Sequence, residues 1–176
     1  MRRTDIKKMT LSAMFMALAF VMPFLTGQIP QVGSMLCPMH IPVLLCGFFC
    51  GARWGMLVGL AAPLLRSFTL GMPPMFPTAF CMAFELAAYG FVAGWLHEKL
   101  PNKKAYVYVS LVSAMVIGRL VWGVTMLCCM GLDTTKFGMA AFVGGTVTGA
   151  VPGIILQLIV VPVVVITLEK VVKSRE

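Results

Sequence analysis

Long apolar runs, interrupted by charged residues and by clusters of proline and glycine, divide the chain into six segments. A helix needs roughly 20 residues to cross the ~30 Å hydrocarbon layer of a bilayer, and unbroken apolar length is the main sequence signal for such a helix. We therefore predict an all-α integral membrane protein that forms a single six-helix domain over residues 1–176. The spans are predicted at about 9–25, 41–52, 54–70, 76–96, 106–130 and 139–168.

The composition supports a membrane location. Hydrophobic residues make up 60% of the chain and charged residues 11%, whereas soluble domains carry about 25% charged residues. A basic leader, MRRTDIKK, followed by an apolar run would also fit a secretory signal peptide. Because the stretch FLTGQ that ends this run contains no A-x-A cleavage site, we predict an uncleaved first span.

The positive charges predict how the six spans are oriented. Of the 14 lysines and arginines, 11 fall on one side of the six-span arrangement, and the opposite connections hold only Lys136. Basic residues concentrate on the cytoplasmic side of membrane proteins, so both termini are expected in the cytoplasm. The 11 residues are Arg2, Arg3, Lys7, Lys8, Arg53, Lys99, Lys103, Lys104, Lys170, Lys173 and Arg175. The net charge of +8 is thereby explained without nucleic acid as a partner.

Sequence motifs for catalysis or ATP binding are absent. The chain has no G-x-x-x-x-G-K-[ST] phosphate loop, no H-E-x-x-H zinc helix and no G-x-S-x-G nucleophile turn. The six cysteines include no C-x-x-C pair, and Cys46 and Cys50 share a helix face without a nearby histidine or carboxylate. We therefore expect no catalytic residue, no metal and no cofactor, and the energy for uphill transport would come from a partner or an ion gradient.

Among the polar residues within the predicted spans, four stand out: Arg66, Glu85, Arg119 and Gln157. A charge at the bilayer centre costs about 2.5–3.5 kcal/mol even on insertion scales, so such residues need partners. Glu85 lies 16 residues before Pro101 and Arg119 lies 18 after it, which places them within ~3 Å of the same height on neighbouring antiparallel helices. The sequence therefore predicts a buried Glu85–Arg119 ion pair, either as part of a binding site or only as a fixture of helix packing.

Arg66 has no partner that the sequence identifies. It is expected ~18 Å above the cytoplasmic end of span three, where its long side chain can snorkel to the outer surface or face an outward-open cavity and bind an anionic group. Together with the Glu85–Arg119 pair, Arg66 leaves one uncompensated positive charge among the spans. A monoanionic solute would neutralise it.

Several residues near the predicted outer face are candidates for ligand binding. The connection LTGQIPQVGSMLCPMHIPVLL, with three prolines and two glycines, is suited to cover a cavity, and His40 stands near its end. Phe76, Trp122 and Thr146 complete the set of candidate contacts. The alternatives are an interfacial histidine bonded to backbone and aromatic residues that anchor the helices at the membrane interface.

Small residues mark candidate helix contacts. In span six, glycines recur every four residues at Gly145, Gly149 and Gly153, a spacing that lets helices approach closely. In span one, Ala13 and Ala17 form a small-x-x-x-small patch near the cytoplasmic end.

The chain resembles the substrate-binding S components of energy-coupling factor (ECF) vitamin transporters. The resemblance covers the six spans, the Ala13-x-x-x-Ala17 patch and, most specifically, the block MHIPVLLCGFFCGARWGMLVGLAAPLLRSFTLGMPPMFPTAFCMAFELAAYGFVAG, which looks similar to pantothenate-type and related B-vitamin S components. It implies a bacterial cell-membrane protein that binds a vitamin near the outer face. The resemblance further implies a membrane T component and two ATPases as partners, with Ala13 and Ala17 facing the T component and ATP used only by the partners.

The implied substrate is a small water-soluble vitamin. The charge count favours pantothenate, whose single carboxylate Arg66 would clamp, with Glu85 and Arg119 shaping the pocket floor. If Arg66 snorkels, a neutral vitamin such as pyridoxine or a hydroxymethylpyrimidine fits equally well. A carrier that works alone, without ATPases, is the alternative from another class.

Overall fold

A computed structural model describes residues 3–26, 38–101, 104–129 and 151–173. Helix accounts for 93% of them, and these ranges contain no β-strand. The α-helices are α1 (Arg3–Val21), α2 (His40–Cys50), α3 (Ala52–Leu70), α4 (Phe80–Lys99), α5 (Lys104–Cys129) and α6 (Val151–Lys173). A 3-10 helix, Met22–Thr26, continues α1, and a π-helical turn, Met75–Ala79, precedes α4.

Four segments of this part of the chain are long and apolar enough to cross a membrane. They are Asp5–Phe24, Met75–Lys99, Lys104–Cys129 and Val151–Leu168. Helix α2 is apolar but has only 11 residues, about 16 Å of helix, and α3, which carries Arg53 and Arg66, is not among the four. The all-helical class is therefore confirmed, while the expected count of six spans and the orientation of the termini stay predictions.

The turn between α3 and α4 contains three prolines, Pro73, Pro74 and Pro77, which lack the backbone N–H groups that a regular α-helix needs. Span four is predicted from residue 76, which falls within the π-helical turn Met75–Ala79, and this turn and α4 together form the apolar segment Met75–Lys99. Helix α3 ends at Leu70 and is followed by Gly71, whose φ of 69° is in the left-handed region. The Ser67 hydroxyl donates to the Pro73 carbonyl at 2.6 Å. Span six was expected from residue 139, and residues 139–150 lie outside the described ranges.

Helix α4 lies at the centre and packs against α2, α3 and α5. Glycines make these contacts close: a Cβ on Gly55 would lie 2.6 Å from the Gly90 carbonyl oxygen and 2.7 Å from the Cα of Gly47. Cβ atoms on Gly59 and Gly94 would likewise collide with backbone of the neighbouring helix. Glycine at these positions lets three helices touch through their main chains, the arrangement that membrane helices commonly use.

The contacts also fix the relative directions of the helices. Gly55 meets Gly90 and Gly59 meets Leu86, so α3 runs antiparallel to α4. The turn at Gly51, with φ of 93°, lies beside Lys8 of α1 and Glu98 near the end of α4. The beginning of α1, the α2–α3 turn and the end of α4 therefore share one end of the molecule, the end predicted to face the cytoplasm.

Two apolar clusters form the interior. One is built mainly from α2, α4, α5 and α6 around Leu44, Tyr89 and Leu111, and includes Val161 and Val165 of α6. The other joins α1, α2, α3 and α4 around Val43, Val58 and Leu86. Helices α2 and α4 contribute to both clusters, which is why polar groups on them are held deep inside the protein.

Candidate functional site

A buried cluster of three ionisable side chains lies where α2, α4 and α5 meet. Oε1 of Glu85 lies 3.1 Å from Nη1 of Arg119 and 3.6 Å from Nε2 of His40. The side chains of Glu85 and His40 are each only 2% exposed, and that of Arg119 is 17% exposed. The predicted Glu85–Arg119 ion pair is therefore confirmed, and His40 joins it from the first residue of α2.

Tyr89 and Gly118 set the geometry of this cluster. Tyr89 lies one turn after Glu85 on α4, is fully buried, and stands edge-on to the His40 ring with 5.1 Å between ring centres. A Cβ on Gly118 would lie 2.6 Å from the Tyr89 ring, so glycine there lets α5 approach α4. Arg119 follows Gly118 directly, and this close approach brings its guanidinium to Glu85.

His40 in this cluster has hydrogen-bonding capacity that the described residues do not use. The Glu85–Arg119 pair is formally neutral, and Glu85 uses the same oxygen toward both of its neighbours. The distance from His40 to Glu85 is too long for a hydrogen bond, and neither ring nitrogen of His40 has a hydrogen-bond partner among the described residues. Buried polar atoms in membrane proteins normally find partners, so the imidazole retains unused capacity for hydrogen bonding.

Arg66 lies outside this cluster and is turned toward α1. Its Nη1 donates to the carbonyl of Phe20 at 2.8 Å, and its guanidinium carbon lies 5.2 Å from the centre of the Phe24 ring. Because Gly55 meets Gly90 and Gly59 meets Leu86, Glu85 lies level with residue 60, and Arg66 lies about 9 Å further along α3. Arg66 is only 5% exposed, so it is packed rather than extended to the surface.

Of the other predicted ligand contacts, the structure describes Phe76 and Trp122. Phe76 lies in the turn before α4 with extended backbone angles and is 65% exposed. Trp122 is half-buried on α5, three residues after Arg119. Thr146, Gly145 and Gly149 lie outside the described residues, as does most of the connection before His40.

The residues predicted to face a partner lie on an open surface. Ala13 and Ala17 are both exposed on α1, in a row with the exposed apolar residues Met14, Leu18 and Val21. An apolar face of this kind contacts lipid or another membrane protein.

Sequence reasoning overlooked the glycines that bring the site together. Gly47, Gly51, Gly55 and Gly59 recur every four residues through α2 and α3, and Gly90 and Gly94 repeat the spacing on α4. The small-x-x-x-small pattern was visible in the sequence and would have predicted close packing of these helices. Tyr89 carried no comparable signal, because a tyrosine in an apolar run has no distinctive spacing.

A family comparison matches almost the whole chain. The family model described as "ECF transporter, substrate-specific component" matches residues 7–165. No curated protein and no solved structure matches the chain significantly. The matched region contains Glu85, His40 and Arg119, called the Glu85 cluster below, and the exposed face of α1. The chain therefore belongs to the substrate-specific components of ECF transporters.

Proposed function

We propose that this chain captures a small water-soluble vitamin, with pantothenate as the best candidate, on the outer side of the bacterial cell membrane. It would deliver the vitamin inward together with a T component and two ATPases. The family match supports a substrate-binding subunit of a transporter rather than an enzyme. The choice of pantothenate depends on the buried charges of the chain.

Arg66 is the observation that carries this choice. Within the described ranges, no carboxylate forms an ion pair with Arg66, whereas Arg119 is paired with Glu85. A guanidinium has five N–H donors, and among the described residues the carbonyl of Phe20 accepts a hydrogen bond from one of them. Arg66 can therefore hold α1 and still donate to a carboxylate, and one monoanion balances the charge of the buried groups.

The test is equilibrium binding of purified protein to a panel of B vitamins, with Arg66→Ala alongside. We expect tight pantothenate binding and a loss of at least about tenfold in the variant, because a charge-assisted hydrogen bond contributes about 1.5–3 kcal/mol. Arg53→Ala is the matched control, since Arg53 is an exposed arginine on the same helix. Tight pantothenate binding that is equal in both variants would remove Arg66 from the site.

A neutral vitamin is the alternative substrate. The contact of Arg66 with Phe20 and Phe24 is compatible with a purely structural role, in which the arginine fastens α3 to the end of α1. Tight binding of pyridoxine or another vitamin B6 form, indifferent to Arg66→Ala, would favour this alternative and retain the transporter role.

The partner proposal has its own test. We propose that Ala13 and Ala17 contact the T component, because both are small, exposed and placed on the apolar face of α1. Replacing both with tryptophan is expected to abolish co-purification of a T component and ATPases while vitamin binding persists. Ala105→Trp, at an exposed alanine of α5, is the control. If the chain alone transports the vitamin in liposomes, it is a stand-alone carrier and this proposal is wrong.

A further inference from the structure

Gln157 is a buried polar side chain whose hydrogen-bonding capacity is unused. It lies on α6, is 1% exposed, and neither its amide nitrogen nor its amide oxygen has a hydrogen-bond partner among the described residues. A glutamine amide both donates and accepts, and water is scarce at this depth of a membrane protein. Burying an amide without hydrogen bonds costs free energy of folding, so the presence of Gln157 calls for an explanation other than packing.

The height of Gln157 along the bundle matches that of the Glu85 cluster. Gln157 lies 13 residues before Lys170, Glu85 lies 14 before Lys99, and Arg119 lies 15 after Lys104. These lysines mark the predicted cytoplasmic boundary. At 1.5 Å per residue, the three polar groups lie about 20–23 Å from that boundary.

Helix packing also turns Gln157 toward the same interior. Val161, one turn after Gln157 on the same face of α6, belongs to the buried cluster formed with α2 and α5. Helix α6 contacts α2, which begins at His40, and α5, which carries Arg119. His40 shares the unusual state of Gln157, because both of its ring nitrogens are buried without a hydrogen-bond partner in the described part of the chain.

We propose that Gln157 is a ligand-binding residue, and that together with His40 it recognises an uncharged hydroxyl or amide group of the substrate. This inference rests on the proposed function, but it adds a second recognition point that is independent of the carboxylate at Arg66. An uncharged group that donates and accepts complements the glutamine amide, which presents one function of each kind. The substrate class is then a small molecule that carries hydroxyl or amide groups as well as any charge.

A structural role for Gln157 predicts a different arrangement. A glutamine that holds membrane helices together does so by hydrogen-bonding across the interface. Gln157 makes no such bond to the described helices. Replacement by an apolar side chain of similar size should therefore leave the ligand-free protein at least as stable and should weaken only the binding of the substrate.

The experiment compares Gln157→Leu with the wild type in two measurements, thermal unfolding without ligand and equilibrium binding of the vitamin identified by the panel. We expect an unchanged or higher unfolding temperature without ligand and an affinity about tenfold or more lower. Ser110→Ala is the matched control, because the Ser110 hydroxyl is also buried without a partner among the described residues but lies only 6 residues from Lys104. This control should keep full affinity.

A substrate analogue makes the test specific. An analogue in which one hydroxyl or amide is replaced by an apolar group should bind the wild type more weakly, because a site built to hydrogen-bond such a group rejects a ligand that lacks it. Gln157→Leu should lose this discrimination for the group that Gln157 contacts. Equal discrimination by both proteins for every analogue would overturn the proposal.

The outcomes separate this inference from the proposed function. If the wild type binds no vitamin, the proposed function fails. If the wild type binds tightly and Gln157→Leu binds equally well, only the present inference fails. If Gln157→Leu unfolds at a markedly lower temperature without ligand, or does not fold, the amide is structural and the inference is wrong.

Discussion

Removing one member of the Glu85–Arg119 pair should destabilise the protein far more than removing both. At 3.1 Å and an effective dielectric constant of about 20, the attraction is about 5 kcal/mol before the cost of desolvation is subtracted. Breaking a buried pair from one side typically costs about 3–5 kcal/mol, because it leaves an uncompensated buried charge. Replacing both partners with uncharged residues of similar size leaves no such charge, so the loss should shrink to about 1 kcal/mol.

The burial of the two side chains predicts an order for the single variants. Glu85 is 2% exposed and Arg119 is 17% exposed. Arg119→Met strands the more deeply buried charge, so it should destabilise the protein more than Glu85→Gln. With a change of about 2–4 °C per kcal/mol for a chain of this size, a loss of 3 kcal/mol lowers the unfolding temperature by roughly 6–12 °C.

The assay is thermal unfolding of the detergent-solubilised protein, followed for the wild type, both single variants and Glu85→Gln/Arg119→Met. The double-mutant cycle isolates the interaction between the two residues. We expect the double variant to be more stable than either single variant. Strictly additive losses would refute the reasoning, since they would mean that the two charges do not depend on each other.

Two further predictions concern the helix contacts. Gly55→Ala should cost about 2 kcal/mol of stability and lower the unfolding temperature by roughly 4–8 °C, because its Cβ would meet backbone atoms at 2.6 and 2.7 Å. Leu57→Phe, at an exposed position of α3, is the control and should change the unfolding temperature little; equal effects of the two substitutions would contradict the close packing. The sulfur atoms of Cys81 on α4 and Cys129 on α5 lie 3.9 Å apart, so mild iodine oxidation in a Cys128→Ser background should join them in a disulfide. Mass spectrometry should detect the linked peptides, and absence of the link would contradict the alignment of α4 with α5.

Apolar length along the chain predicted the all-helical class, and residue spacing predicted one buried contact. Counting residues from Pro101 predicted that Glu85 and Arg119 lie at one height, and the structure places them 3.1 Å apart. The count succeeds because a short loop joins two regular helices, so the rise per residue converts sequence distance directly into depth. The same count cannot be applied to α2, an apolar helix of 11 residues whose depth depends on the turn at Gly51.

The sequence could not predict how each helix is rotated about its own axis. Arg66 was predicted either to snorkel or to face a cavity, and the structure shows it bonded to Phe20 of α1. The choice depends on which face of α3 meets α1, and the glycine contacts of α3 with α4 determine that face. His40 joined the Glu85 cluster for a similar reason, because the contact of Gly47 with Gly90 aligns α2 with α4.

Helix α2 begins at His40, inside the protein, so its amino-terminal end is a fixed source of positive potential at that depth. The first peptide N–H groups of a helix lack partners within the helix, and the aligned peptide dipoles amount to roughly half a positive charge there. This potential comes from the main chain, so no side-chain substitution removes it. An anionic substrate near His40 would therefore keep part of its electrostatic attraction in Arg66→Ala, and this backbone contribution would add to the residual affinity of that variant.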